Sequence, residues 1–325
     1  MDKIKVAVIG VGYLGRQHVR IYSENESVEL LGVVDKNLAT AQSVANEFNT
    51  HAYTDFSPLL DKANAVSVAV PTTDHAAVCC QLLSRGIDVL VEKPMASSVA
   101  EAEIMIDTAT KHERVLQVGH LERFNPAICA ARRIAHQPMF FEIHRLGIFT
   151  SRSLDIDVVL DLMIHDLDIV LDFVKSPVKT VSAVGLPILS NKIDIANARI
   201  EFENGCVANL TASRVSTEKV RKMRFFQPHE YISVDYSRQD VVVLAVQPGE
   251  GDRVPIITPR RVETHRVEPL RAEIESFLRS VRSRSRPEVS PESSREALQL
   301  AHWVVHKISE HSQHLPWPLS VGRKE

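Results

Sequence analysis

The residues Gly10-Val11-Gly12-Tyr13-Leu14-Gly15 are the main evidence in the sequence for the fold of this chain. This stretch follows an apolar run at residues 5–9, which is typical of a strand buried on both faces of a parallel sheet, and a helix is expected from about Leu14. Glycines at this spacing between a strand and a helix make a tight turn and let a pyrophosphate approach the helix N-terminus. The stretch therefore predicts a dinucleotide-binding turn.

A carboxylate at the expected distance supports this interpretation. The next apolar run, residues 28–34, ends at Asp35, twenty residues after Gly15, where an acidic side chain binds the ribose hydroxyls of a dinucleotide. Its charge would repel a 2′-phosphate, so NAD is predicted over NADP, although the adjacent Lys36 weakens this preference. A glycine-rich turn needed only for packing is the alternative.

The rest of the first 120 residues alternates between strands and helices. Further strands are predicted at 65–70, 88–91 and 115–118, with helices at 38–48, 75–84 and 99–112. Strict alternation implies a doubly wound parallel sheet. We therefore predict an α/β fold whose NAD-binding Rossmann domain spans residues 1–120.

After Gly119 the pattern changes to longer segments in which apolar and polar residues alternate. Asn204-Gly205 marks a hairpin turn between two of these segments. Strands are predicted at 140–146, 180–184, 198–202, 207–212, 223–226, 231–235 and 241–246, and helices at 126–135, 270–280 and 293–309. The second domain, residues 121–325, is therefore expected to be α+β with a mostly antiparallel sheet, and to serve substrate binding and oligomerisation.

The composition limits the classes of function. The 325 residues are 44% hydrophobic and 24% charged, as in an ordinary globular protein, and the length favours two domains. A net charge of −3 offers no basic field for nucleic acid or anionic membranes, and the sequence lacks the run of about 18 apolar residues that a spanning helix needs. The four cysteines form no CxxC pair, so we expect reduced thiols in the cytoplasm and no metal site.

A lysine follows one of the predicted parallel strands. Residues 89–91 run directly into Glu92-Lys93-Pro94, which places Lys93 at the carboxyl edge of the sheet, where ligands bind in open α/β folds. An ammonium group beside a bound nicotinamide can hydrogen-bond the oxygen of an alcohol that is being oxidised. The alternative is a surface lysine paired with Glu92.

A second group of polar residues lies on a predicted helix that continues to Phe173. Asp161 and His165 are spaced i and i+4, which puts both on one face of an α-helix. A histidine there can act as general base for a hydroxyl while the carboxylate orients its ring. A purely structural hydrogen bond between the two is the alternative.

These pieces resemble the glucose-fructose oxidoreductase and inositol dehydrogenase family, also called GFO/IDH/MocA, across almost the whole chain. The Glu92-Lys93-Pro94 triplet and the Asp161-x-x-x-His165 helix are the most specific motifs. The resemblance implies that Lys93 and His165 are catalytic, with Asp161 and Asp168 at the accompanying acidic positions. Met163 departs from the glycine that many members carry there.

The resemblance also implies a second cofactor-contacting turn, Val70-Pro71-Thr72-Thr73-Asp74-His75. The predicted cofactor ligands are Gly10, Gly12, Tyr13, Leu14, Gly15, Asp35, Pro71, Thr72, His75, Glu92 and Lys93.

Residues 119–127, and the segment 145–152, are similar to members of the family that oxidise the 3-hydroxyl of UDP-N-acetylhexosamines or the related uronic acids. A UDP-sugar brings two phosphate charges, which arginines bind well, although each arginine here could equally be an ordinary surface charge. Arg214 is a further cation considered for this role. The predicted substrate ligands are Lys93, Arg123, Asn125, Arg145, Arg152, Asp161 and His165.

The expected reaction is oxidation of a sugar hydroxyl, at C3 of a UDP-N-acetylhexosamine or its uronic acid, to a keto sugar. A dehydrogenase of a free sugar or cyclitol, which would not need the arginines, is one alternative. A non-catalytic NAD-binding regulator is another, because fold does not determine function. The family resemblance also implies a homodimer or homotetramer.

Overall fold

The computed structural model describes residues 2–149, 156–247 and 254–313. The chain divides into two compact units. One contains residues 1–121 and 268–296, and the other contains residues 122–267 and 297–325. The sequence analysis predicted a single domain boundary near residue 120. In the structure, residues 268–296 also belong to the first unit.

The first unit is built on a six-stranded parallel sheet in the order β3-β2-β1-β4-β5-β6. Its strands are β1 (Ile4–Ile9), β2 (Val28–Val34), β3 (Ala52–Tyr53), β4 (Ala65–Val68), β5 (Asp88–Glu92) and β6 (Leu116–Gly119), and its helices are α1 (Tyr13–Ser23), α2 (Leu38–Glu47), α3 (Thr72–Ser84), α4 (Val99–Lys111) and α7 (Pro269–Ser283). The predicted doubly wound parallel sheet is confirmed. The short strand β3 was not predicted.

Helix α7 belongs to the first unit because its apolar side chains complete that unit's core. Leu270, Ile274 and Phe277 are buried in one cluster with Val6 and Val8 of β1. A helix more than 140 residues further along the chain therefore covers part of the Rossmann sheet.

The second unit is built on an eight-stranded sheet in the order β14-β13-β12-β11-β7-β10-β9-β8. The strands are β7 (Phe140–Leu146), β8 (Val178–Leu186), β9 (Ile195–Phe202), β10 (Val207–Ser213), β11 (Val220–Gln227), β12 (Glu230–Asp235), β13 (Asp240–Gln247) and β14 (Ile256–Val262). The helices are α5 (Pro126–Ile134) and α6 (Ile164–Val174), while α8 (Pro291–Ser312) crosses the boundary between the units in sequence. All neighbouring strands are antiparallel except β7 and β10, so the predicted mostly antiparallel sheet is confirmed.

Aromatic packing fixes α6 on this sheet. The Phe141 ring of β7 lies 5.4 Å from that of Phe225 on β11, and the Phe173 ring of α6 meets both edge-on. Such pairs add about 0.5–1.5 kcal/mol beyond their buried area. None of the helices in the described ranges is long and apolar enough to span a membrane.

Candidate active site

Two glycines close the turn between β1 and α1. Gly10 has φ +83°, and a Cβ there would lie 2.6 Å from the backbone of Ala69. A Cβ at Gly15 would lie 1.9 Å from the Gly10 carbonyl oxygen. A side chain at either position would therefore clash with neighbouring backbone atoms of the protein.

Gly12 differs from these two glycines. A Cβ there would meet no atom of the described residues within 4 Å, and Gly12 lies at the N-cap of α1. Its small size is not needed for packing, so it leaves space for a ligand at a helix N-terminus. Tyr13, 71% exposed, and the half-buried Leu14 follow it on the same turn.

Asp35 is held at this turn by backbone donors. Its Oδ2 accepts a hydrogen bond from the Val11 N–H at 3.1 Å, and its Oδ1 accepts one from Asn37 at 2.9 Å. The side chain ties the end of β2 to the glycine turn. Lys36 extends to Asp74, with Nζ 2.8 Å from Oδ2. The open Gly12 and the carboxylate beside it fit NAD.

The second predicted cofactor turn lies between β4 and α3. Pro71 is exposed at the N-cap of α3 and Thr72 is half-buried at its first position. His75, by contrast, is only 1% exposed. Its Nε2 lies 2.9 Å from the Val70 carbonyl oxygen and its Nδ1 lies 2.9 Å from that of Pro94. His75 therefore lies beneath the turn and contacts two backbone segments.

The carboxylate of Glu92, at the end of β5, points into the interior of the first unit. Its Oε1 lies 3.0 Å from Nε2 of His18, whose Nδ1 lies 3.1 Å from Oγ of Ser67. The Tyr22 hydroxyl lies 2.8 Å from the same Oγ. Glu92, His18, Ser67 and Tyr22 are all buried, so they form a hydrogen-bonded chain that ends beside Lys93. Lys93 itself is half-buried and precedes Pro94 through a cis peptide bond.

This buried chain of side chains was not predicted. The available signal was the spacing of His18 and Tyr22, which lie four residues apart on α1 and flank the buried Val19 and Ile21. A polar pair inside an apolar helix face indicates an internal hydrogen-bond partner.

A second carboxyl group lies near Glu92. Glu273 of α7 is fully buried, and neither of its carboxyl oxygens has a hydrogen-bond partner within the parts of the chain that the structure describes. Burial, together with the charge of Glu92, raises its pKa well above the ordinary value. Both influences favour the neutral, protonated form of Glu273.

In the second unit, the predicted catalytic histidine lies at the start of α6. His165 is 8% exposed, and Asp161 is half-buried in the preceding turn. The expected continuous α-helix is interrupted here, because Val159–Met163 form a π-helical turn in which the Ile164 N–H donates to the Val159 carbonyl. A π-turn spaces its hydrogen bonds over i to i+5, so the expected continuous α-helix through residues 161–165 is wrong.

Two arginines form ion pairs with carboxylates of α6. Arg145 of β7 makes two hydrogen bonds of 2.8 Å to Asp166 and one of 3.0 Å to Glu122. Arg123 bonds Asp168 through Nε at 2.6 Å and Nη2 at 3.0 Å. Its Nη1 lies 2.6 Å from Asp172.

These arginines remain charged although they are buried. Burial alone would lower the pKa of Arg123, but Asp168 and Asp172 raise it above its usual value. The same balance holds for Arg145, where burial opposes Asp166 and Glu122 and the pKa is raised. Both guanidinium groups are therefore engaged by carboxylates of their own unit.

Asn125 and Arg214, also considered as substrate ligands, make hydrogen bonds within the protein. Asn125 caps α5, since its Oδ1 accepts from the Ala127 N–H, and its Nδ2 donates to the Tyr236 carbonyl at 3.0 Å. Arg214 donates to the carbonyls of Ile156 and Ile193 and lies 3.5 Å from Asp194. Arg152 lies outside the described residues.

Comparisons with known proteins agree with this arrangement. The family model for the oxidoreductase family with an NAD-binding Rossmann fold matches residues 4–120, and the model for the GFO/IDH/MocA C-terminal domain matches residues 131–227. UDP-N-acetylglucosamine 3-dehydrogenase of Acidithiobacillus ferrooxidans is 38% identical over 86% of this chain and 90% of its own length. The NAD⁺-dependent scyllo-inositol 2-dehydrogenase of Bacillus subtilis is 27% identical over 66% of this chain and 68% of its own.

Solved structures give the same result. A structure of UDP-N-acetylglucosamine 3-dehydrogenase from A. ferrooxidans superposes with a TM-score of 0.90 at 36% identity, covering 95% of this chain and 99% of that one. Levoglucosan dehydrogenase in complex with NADH shares the fold, with a TM-score of 0.83 at 17% identity, covering 95% of this chain and 98% of that one. The chain therefore belongs to the GFO/IDH/MocA family of oxidoreductases, and its first unit is the NAD-binding Rossmann domain of that family.

Proposed function

We propose that this protein oxidises the C3 hydroxyl of a UDP-N-acetylhexosamine, or of its uronic acid, to a 3-keto nucleotide sugar with NAD⁺ as hydride acceptor. The observation that carries the proposal is the 38% identity to UDP-N-acetylglucosamine 3-dehydrogenase across 86% of the chain. Lys93 and His165 supply the two polar groups that alcohol oxidation requires.

The reaction removes a hydride from carbon and a proton from the hydroxyl. Bound NAD⁺ supplies the acceptor for the hydride. His165 takes the hydroxyl proton as general base, and Asp161 orients its ring. Lys93 donates a hydrogen bond to the oxygen that becomes the carbonyl. The glycine turn, Asp35, Pro71 and Thr72 hold the cofactor.

Two of the arginines have a different role in this proposal. Arg123 and Arg145 bind acidic residues of α6, and Arg145 also binds Glu122, so they orient the helix that carries His165. Substrate phosphates then require other donors, and Arg152 remains the candidate from the segment between β7 and α6.

A dehydrogenase of a free sugar or cyclitol is the second candidate. It is favoured by the 27% identity to scyllo-inositol 2-dehydrogenase over two thirds of the chain. A non-catalytic NAD-binding regulator is disfavoured by the joint presence of Lys93, Asp161 and His165. We also propose a cytoplasmic homodimer or homotetramer, and a solution mass near the 36.3 kDa of one chain would contradict the oligomer.

The test follows NADH formation when pure protein and NAD⁺ are mixed with UDP-N-acetylglucosamine, its uronic acid, free N-acetylglucosamine or myo-inositol. His165→Gln is the inactive control, and His265→Gln, which changes a side chain that is 89% exposed, is the matched active control. Turnover limited to UDP-sugars supports the proposal. Turnover limited to free sugars or cyclitols supports the second candidate, and NAD⁺ binding without turnover supports the regulator.

A further inference from the structure

Arg221 lies on the inner face of the second unit's sheet. Along β11, Met223 and Phe225 are fully buried whereas Lys222 is exposed, as expected when successive side chains point to opposite faces of a sheet. The Phe225 ring packs edge-on against that of Phe173 on α6. Arg221 has the same parity as the two buried residues, so it points to the side of the sheet that α6 covers.

Arg221 is also a neighbour of the charged residues that hold α6. It is paired with Arg145 across β11 and β7, which brings the two Cβ atoms to about 4.5–5.5 Å. Arg145 in turn donates two hydrogen bonds to Asp166, the residue after His165. Asp161, in the π-helical turn, is one of the carboxylates whose charge acts on Arg221. Arg221 therefore belongs to the group of charged residues around the proposed general base.

The guanidinium group of Arg221 differs from those of the arginines described above. Within the residues that the structure describes, it makes no hydrogen bond or ion pair. Both oxygens of Asp166 accept hydrogen bonds from Arg145. One oxygen of Glu122 accepts from Arg145 and the other from Asn125. The half-buried Arg221 therefore keeps its N–H donors available for a ligand.

The surroundings of Arg221 do not fully balance its charge. Burial, followed by the charge of Arg145, lowers the pKa of Arg221, and the carboxylates of Glu122, Asp166 and Asp161 offset these effects only in part. An arginine keeps its proton nevertheless. A half-buried guanidinium group with a second cation beside it favours an anion, and phosphate and carboxylate oxygens match its planar set of donors.

We propose that Arg221 is a substrate ligand that binds an anionic group of the nucleotide sugar, either its diphosphate or the carboxylate of the uronic acid. This inference rests on the proposed function, in which the sugar hydroxyl lies against His165. In a hexose ring, C3 is only a few bonds from C1, which carries the diphosphate, and from C5, which carries the carboxylate. A single cation near Asp161 can therefore bind either group while C3 is oxidised.

The test compares Arg221→Gln and Arg221→Lys with the control Lys222→Gln, which changes an exposed cation of the same strand. Calorimetric titrations use UDP-N-acetylglucosamine, its uronic acid and NAD⁺. We expect Arg221→Gln to weaken binding of a UDP-sugar about 30-fold, because a hydrogen bond to a charged group is lost. Arg221→Lys keeps the charge but not the planar donors, so a smaller loss is expected. Lys222→Gln should bind all three ligands like wild type.

The two UDP-sugars identify the anion. A loss of affinity for both assigns the diphosphate to Arg221, and a loss confined to the uronic acid assigns the carboxylate. Wild-type affinity for both UDP-sugars in Arg221→Gln would overturn the role of Arg221 and leave the proposed function intact. A wild-type protein that neither binds nor turns over UDP-sugars would overturn the proposed function, and this inference with it.

A purely structural role of Arg221 is distinguished by the constants that change. Loss of a substrate ligand raises KM for the UDP-sugar and leaves KM for NAD⁺ and the free energy of unfolding close to those of wild type. Arg221→Lys allows the measurement if Arg221→Gln does not fold. A joint loss of kcat, NAD⁺ affinity and stability, with no recovery in Arg221→Lys, would show that Arg221 only supports the fold.

Discussion

Arg145 donates two parallel hydrogen bonds to Asp166, from Nε to Oδ2 and from Nη2 to Oδ1, each 2.8 Å long. Both side chains are at most 4% exposed, and Asp166 follows His165 on α6. Planar pairing of this kind fixes direction as well as distance. The pair therefore sets the rotation of the helix that carries the proposed general base.

Asp166→Asn should destabilise the second unit and reduce turnover. It leaves the buried Arg145 with Glu122 as its remaining carboxylate, and breaking one side of a buried ion pair costs about 3–5 kcal/mol. We expect the free energy of unfolding in urea to fall by about 3 kcal/mol. The matched control is Glu142→Gln, which removes an exposed partner 3.8 Å from Arg224 and should cost less than about 1 kcal/mol. Equal losses in the two variants would show that Asp166 has no special role.

The local features of the site were predictable from the sequence. The glycine turn, Asp35 and the alternation of strands and helices are patterns over a few residues, and each depends on backbone geometry that recurs in this fold. The hairpin strands of the second unit were predictable for the same reason. Strand β14 was not, because its residues are largely exposed and include Pro259.

The partners of buried charges were not predictable. Arg123 and Asp168 are 45 residues apart in the sequence. The sequence alone does not distinguish an arginine that binds a carboxylate from one that binds a phosphate. The packing of α7 against the Rossmann sheet was not predictable either, and neither was the π-turn before α6. Both depend on tertiary packing, which cannot be read from a short stretch of sequence. His18 was missed because its partner, Glu92, lies 74 residues away.

His18 should be needed to hold Glu92 in place. His18→Leu leaves the buried carboxylate without its imidazole partner, so we expect a loss of about 1–3 kcal/mol in stability and a lower kcat. His18→Gln places a donor near the position of Nε2 and should recover part of kcat. Tyr22→Phe is the control, because it removes only the hydroxyl at the far end of the chain. A kcat in His18→Leu equal to that of Tyr22→Phe would argue that Glu92 does not depend on His18.

The charge of Asp35 should determine the choice between NAD⁺ and NADP⁺. Asp35→Asn retains one side-chain oxygen as an acceptor for Val11 or Asn37 but removes the negative charge. Loss of charge repulsion should raise the ratio of kcat/KM for NADP⁺ to that for NAD⁺ by roughly tenfold. Asp35→Ala removes the acceptor as well and should lower kcat/KM for both cofactors. An unchanged ratio in Asp35→Asn would place the 2′-position of the ribose away from this carboxylate.

Glu273 should make the first unit less stable as pH rises. Its pKa in the folded protein is raised by burial and by Glu92, so the unfolded chain releases this proton near the ordinary value of 4.5 while the folded chain retains it. The folded state then binds more protons than the unfolded state, and stability falls as pH rises above that value. Glu273→Gln removes the ionisable group and keeps a polar side chain of similar size.

We therefore expect Glu273→Gln to raise Tm at pH 8 by about 2 °C or more, and to change it less at pH 5, which is close to the ordinary pKa of 4.5 in the unfolded chain. Glu275→Gln, which changes an exposed residue of the same helix, should show no such pH dependence. The measurement is thermal unfolding of wild type and both variants in buffers from pH 5 to pH 8. A Tm difference that is the same at every pH would mean that Glu273 titrates alike in the folded and unfolded chains, because only a difference in bound protons makes stability depend on pH.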